Sequence, residues 1–177
     1  MKSKTKVYLF TIIFIVFLAL IFLILSWSSL TGKTYVLDTK PVDPLDMFKG
    51  QYISINYDIS RISNLSAYGI NASQELLGND LYVILEKDSV GIYRAKNYSL
   101  NMPASGDFIK GEIKYVYDNS MFVSYGIEQY FLEKNAELST QNITIEVKVS
   151  DSGKATISRL FQNGKSLGVS YIQSILG

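Results

Sequence analysis

Cysteine and histidine are both missing from the 177 residues. Their absence excludes disulfides, thiolate nucleophiles, Cys/His zinc sites, histidine-ligated haem, lipid attachment through cysteine and any Ser-His-acid triad. An enzyme made from this chain would have to run on carboxylates, Lys, Ser, Thr or Tyr. Only three prolines occur, so strands are rarely interrupted. Charge of one sign is lacking too, with 17 basic against 16 acidic residues. Lys2, Lys4 and Lys6 are basic and crowd the amino end; without them 14 basic groups face 16 acidic ones. Such a mildly acidic remainder predicts no nucleic-acid partner.

What is abundant is apolar surface. Val7 to Leu25 contains no charge and one hydroxyl, Thr11, besides Tyr8. At about 1.5 Å per residue this run spans roughly 28 Å, enough for a hydrocarbon core of about 30 Å. Tyr8 and Trp27 mark its two ends, where amphipathic rings favour the interface. The lipid bilayer is therefore the first expected partner. The three lysines predict a cytoplasmic tail over 1–6, a transmembrane helix over 7–27 and an extracytoplasmic remainder. A cleavable signal peptide is the alternative: Ser26 and Ser28 have the small-residue spacing of a cleavage site, although the apolar run exceeds the usual length.

A polar stretch over 28–34 reads as a linker, and 35–177 reads as one domain. Tyrosines number 13 and phenylalanines 9, which with frequent β-branched residues points to strands. Expected strands cover 35–37, 51–60, 81–86, 91–95, 108–117, 121–125, 129–132, 143–149 and 155–161. Turn signals stand between them, including Asn163-Gly164. Asp43 and Pro44 predict a capped helical turn. A helix is expected within 62–78, stopping at Gly78, and helical turns within 132–138. The fold class is mainly β with minor α, an apolar helix leading into a barrel-like or sandwich antiparallel domain.

The stretch Gly50-Gln51-Tyr52-Ile53-Ser54-Ile55-Asn56-Tyr57 carries the clearest pattern. In an extended strand Ile53, Ile55, Tyr57 and Ile59 share one face, and Tyr52, Ser54, Asn56 and Asp58 the other. The apolar face should fill the core, with the Tyr57 hydroxyl reaching a partner at its rim. Gly50 suits a turn with positive φ.

These residues resemble the motif of the GDYxxLxY family of bacterial membrane-anchored proteins. The lead-in Pro41, Asp43, Pro44, Asp46 and Gly50 is similar to the family's PxDPxDxxxG pattern. Tyr125, Gly126, Ile127, Glu128, Tyr130 and Phe131 resemble a second block, and the hairpin over 145–167 its carboxy-terminal part. Gln51 stands where the motif has Asp, and Ile55 where it has Leu. The first change removes a carboxylate; the reading favoured here gives that position a structural role in a turn. The resemblance implies an extracytoplasmic β domain and, as partners, polytopic membrane proteins. It supplies no reaction.

Other stretches carry weaker chemical signals. The loop from Asn101 to Asp107 is faintly similar to a Ser/Lys hydrolase nucleophile loop, but Asn101 takes the place of the serine. Lys110 and Lys114, the nearest bases, alternate on a solvated strand face. Asp38, Asp43 and Asp46 would cluster with Glu128 only if the two blocks meet, and they lack calcium-loop spacing. Asp46 can instead pair with Lys49. Glu128, in apolar company, should pair with Arg94 or Arg159. Tyr115, Tyr117, Tyr125 and Tyr130 are read as core and cross-strand pairs, with a ligand groove as the alternative. No catalytic residue, metal ligand or cofactor is assigned. The expected role is a non-enzymatic accessory or partner-binding subunit. The alternatives are an envelope hydrolase of Ser/Lys or carboxylate type and a sensor of a ligand or polysaccharide.

Overall fold

A computed structural model describes residues 3–40, 52–131 and 143–166. The helix α1 spans Ser3–Thr31. Its apolar run is free of the rest of the chain, and it is long and apolar enough to cross a membrane or to act as a signal sequence. Strand β1, Lys33–Lys40, begins one residue after it. The stretch 28–34 is therefore helix and strand separated by Gly32, not a linker. Its Ser, Thr and Gly content suggested a loop, but β1 pairs from Lys33 onward with Val149 and its neighbours.

The strands that follow are β2 (Tyr52–Ser54), β3 (Asn56–Tyr57), β4 (Arg61–Ser63), β5 (Asp80–Lys87), β6 (Tyr93–Ser99), β7 (Phe108–Tyr117), β8 (Ser120–Ser124), β9 (Gln129–Phe131), β10 (Ile143–Val149), β11 (Ala155–Gln162) and β12 (Lys165–Ser166). The main sheet has the order β12-β11-β10-β1-β6-β5-β7-β8-β4, with β3 also on β1, and β2 pairs with β9 separately. Pairing is antiparallel except for one parallel contact, Leu37 with Tyr93. Alternation explains the core. Along β10 every second residue from Ile143 to Val149 is buried, as the period of two requires. Leu160 near one end of the strand order and Ile62 at the other enter the same hydrophobic cluster. The sheet thus curls around a single barrel-like interior. A backbone bond from Lys110 N–H to the Gly153 carbonyl draws the β10–β11 turn onto β7. Asn163 and Gly164 both have positive φ, the requirement of the tight hairpin turn they make between β11 and β12.

Two expectations are corrected. Residues 51–60 do not form one strand: β2 and β3 are short, and Asp58–Ser60 is a 3₁₀ turn. Residues 62–78 hold β4 and two 3₁₀ turns, Leu65–Tyr68 and Gln74–Leu76, instead of a helix. Buried Ile62, Leu65 and Ile70 imitate helical spacing, but Asn64 and Gly69 take left-handed φ and break the run. The expected turn at Asp43 and Pro44, the helical turns within 132–138 and the pair Asp46–Lys49 lie outside the described residues. So do Gly50 and Gln51.

Candidate functional site

The two motif blocks are zipped together. β2 and β9 pair antiparallel, Tyr52 opposite Phe131, Ile53 opposite Tyr130 and Ser54 opposite Gln129. The zipper continues as Ile55 N–H donates to the Glu128 carbonyl at 2.7 Å. Beyond it the chains exchange tyrosines. The Tyr57 hydroxyl donates to the Ile127 carbonyl at 2.7 Å, and the Tyr125 hydroxyl donates to the Ile59 carbonyl at 2.6 Å. The two rings meet edge to face, with centroids 6.3 Å apart. Tyr57 is 1% exposed and Tyr125 5%. Each hydroxyl thus satisfies a buried carbonyl, and each ring closes the interior around the other. Ile55 lies in the same interior, as its alternation with Tyr57 predicts; half-buried Tyr130 packs against this core from outside.

Gly126 makes the exchange possible. Its φ of +75° lets the chain turn between Tyr125 and Ile127, so that both face inward. The Glu128 carboxylate accepts the Tyr125 N–H and closes this turn. That is the role of the acid: it stays half-buried, tied to the backbone, without an ion-pair partner among the described residues. Arg94 and Arg159, its expected partners, are engaged elsewhere. Arg94 reaches Asp88 at 3.0 Å, Asp38 at 3.5 Å and Asp58 at 3.6 Å, and Arg159 reaches Glu146 at 3.6 Å. Burial, seconded by the Glu128 charge, holds the Tyr57 hydroxyl far above the ordinary tyrosine range. Tyr125 is raised likewise, by burial first and then by Tyr98 and Glu128. Tyr98, packed edge-on against Tyr68 at 4.6 Å, is pushed up to about 12, chiefly by burial. All three stay protonated at neutral pH, and the Tyr57 and Tyr125 hydroxyls remain donors.

The weighed bases have ordinary ion-pair surroundings. Lys110 sits 2.9 Å from Asp80 and Lys114 2.6 Å from Glu112. The Asp80 hydrogen bond raises Lys110 above its usual value, the opposite of what a lysine base needs. Among the described residues no group of three or more His, Cys, Asp or Glu side chains is placed to hold a metal.

A different set of tyrosines forms an open groove of about 530 Å³ where β4, β8 and β7 meet. Tyr115 is 70% exposed and Tyr117 83%. A register shift between Ile113 and Tyr115, a β-bulge, turns both rings outward. Register then arranges two cross-strand rows: Arg61, Phe122 and Tyr115 in one, Ser63, Ser120 and Tyr117 in the other. The short serines beside large rings create the hollow. The favoured expectation for Tyr115 and Tyr117 holds in part: both face cross-strand partners, Phe122 and Ser120, but neither is a core residue, because the bulge turns both outward. The groove, the alternative reading, also takes Arg61, Ser63, Ser120 and Phe122, whose only signal in the sequence was their outward parity on two strands not known to be neighbours. Of the other tyrosines weighed for this groove, Tyr125 lies in the core and Tyr130 packs against it.

Among known proteins, the chain matches no curated protein and no solved structure. A family model described as GDYXXLXY protein matches residues 14–160. That span takes in both zipped blocks, and Gly50 to Tyr57 supplies the family's signature with Gln for Asp and Ile for Leu. The chain belongs to the GDYXXLXY family, and the last two positions of the signature, Ile55 and Tyr57, are core residues of its β domain.

Proposed function

We propose that this chain is a single-pass membrane protein whose β domain stands outside the cytoplasm and acts as a non-enzymatic accessory subunit, with polytopic membrane proteins as partners. The observation that carries the reading is the use made of the motif. Ile55, Tyr57, Tyr125 and Glu128 are all engaged in packing or in hydrogen bonds to backbone. The ion-paired state of Lys110 and Lys114 supports the same reading over a Ser/Lys hydrolase. The uncharged run over 7–25, with Lys2, Lys4 and Lys6 at its amino end, supports the orientation.

Cross-linking in intact native cells, followed by mass spectrometry, tests it. Polytopic membrane proteins should be recovered with the full chain and lost when α1 is replaced by a cleaved leader. Externally added protease should reach the β domain. Recovery of no partner above that control, or a domain that only cytoplasmic protease reaches, would refute the proposal. A second reading, ligand sensing, is favoured by the groove formed by Tyr115, Tyr117 and Phe122. It is compatible with an accessory role, because a ligand-bound domain can report to a partner.

A further inference from the structure

We propose that the outer face where β4, β8 and β7 meet binds an acidic saccharide, a pyranose unit carrying a carboxylate; this deepens the ligand-sensing reading and rests on it. The two rows described above make a surface roughly 10 Å across the strands and about 7 Å along them, from strand spacing and residue rise. That area suits one or two ring-sized units. Phe122 and Tyr115 stand side by side, centroids 6.3 Å apart and tilted by 47°, and Tyr117 follows two residues on. Exposed rings of this kind take the apolar face of a sugar ring by stacking. The floor between them carries the Ser63 and Ser120 hydroxyls, which donate to and accept from sugar hydroxyls.

Charge selects the class further. Arg61 is exposed and has no ion-pair partner among the described residues, whereas Arg94 and Arg159 are both paired. A guanidinium free to make a bidentate contact is matched to a carboxylate. By register Asp118, in the turn after Tyr117, lies at the opposite corner from Arg61. The two charges orient an anionic group toward β4.

Other occupants fit less well. An added peptide strand would use the main-chain edge of β4, but the rings and hydroxyls run across the sheet face. A nucleic acid would meet a net-acidic domain. A lipid headgroup of the same bilayer would have to reach along β7 from the exit of α1. Asp107, just before β7, bonds Lys33 at the exit of α1 at 2.9 Å, and Tyr115 to Tyr117 lie roughly 25–35 Å further along that strand by its rise per residue.

The test uses the full chain in detergent micelles and isothermal titration calorimetry. The probes are a tetrasaccharide of alternating N-acetylglucosamine and glucuronic acid, its carboxyl-reduced neutral counterpart, and a glutamate-rich peptide of similar length. The acidic tetrasaccharide should bind saturably and about tenfold tighter than the neutral one, the difference one charge-assisted contact supplies. Arg61→Gln should erase that difference, and Tyr117→Ala should weaken both sugars. These side chains are exposed, and circular dichroism checks that each variant stays folded. Equal affinity for both sugars overturns the acidic class but leaves a ligand groove. Binding of the peptide alone overturns the saccharide and points the groove at a protein. No saturable binding by any probe overturns both the saccharide and the sensing reading.

Discussion

Tyr125 follows β8 by one residue and Tyr117 closes β7, the strand that pairs with β8. Yet the first is 5% exposed and the second 83%. The same side chain performs two jobs within one hairpin. Tyr57 and Tyr125 place their rings in the interior and their hydroxyls on carbonyls of the opposite block. Tyr115 and Tyr117 lie beyond a bulge and place their rings in water. The difference shows that residue type does not separate a buried structural tyrosine from an exposed one; the partner of the hydroxyl and the side of the pleat do. In this family member Tyr57, the last tyrosine of the signature, belongs to the structural kind, and the exposed rings of Tyr115 and Tyr117 lie outside the signature.

The largest effect is expected from removing the buried pair. Tyr57→Ala should cost about 3–5 kcal/mol, the range for deleting a buried aromatic, and abolish a cooperative thermal transition in many conditions. If denaturant melts show a loss below about 1 kcal/mol, the pair is not what closes the interior. The milder Tyr57→Phe keeps the ring but strips the Ile127 carbonyl of its donor, so a loss of about 1–3 kcal/mol is expected. Alkali asks the same question without mutation. A group whose pKa is raised on folding stabilises fully below its unfolded value, near 10, and that contribution drains away as pH climbs toward the folded one. Both buried tyrosines are shifted upward, so melting temperature should fall above about pH 10, and less steeply in Tyr57→Phe. A pH-independent melt there would contradict the burial.

Gly111 links the two pairs, because it sits on the strand that carries the exposed one and lies against Tyr125 of the buried one. A Cβ there would overlap Val123 Cγ1 and come within 2.9 Å of Tyr125 Cδ1 and the Ser124 carbonyl. Gly111→Ala should therefore destabilise by about 1–3 kcal/mol through overpacking; an unchanged melt would mean that β7 and β8 are less closely packed. The smallest effect belongs to the exposed pair. Tyr117→Ser should leave stability within about 0.5 kcal/mol, and a larger loss in the same melts would give that ring a structural role.

Much of the architecture was legible because alternation is local. The inward residues of β10, from Ile143 to Val149, and the Asn163-Gly164 turn were readable from their immediate neighbours. Glu128 was not. Its partner is the N–H of Tyr125, three residues away, and only the left-handed turn at Gly126 brings the two together. Arg94 was misjudged because its acids, Asp38, Asp58 and Asp88, come from three separate stretches of chain. The helix expected within 62–78 failed because Ile62, Leu65 and Ile70 match a helical spacing while pointing into a core formed by strands far away in sequence.

Taken alone, the amino-acid order settled what depends on neighbours and on composition: an uncharged apolar helix, a strand-rich remainder and the exclusion of all cysteine and histidine chemistry. It also marked the family signature, since that is a local string. Folding in three dimensions decided that the signature meets the second block, that Tyr57 and Tyr125 trade hydroxyls across the seam, and that Arg61, Phe122 and Tyr115 fall into one row. Those outcomes depend on strand register between distant segments, and register is set by packing the whole interior at once, which no short window of sequence encodes.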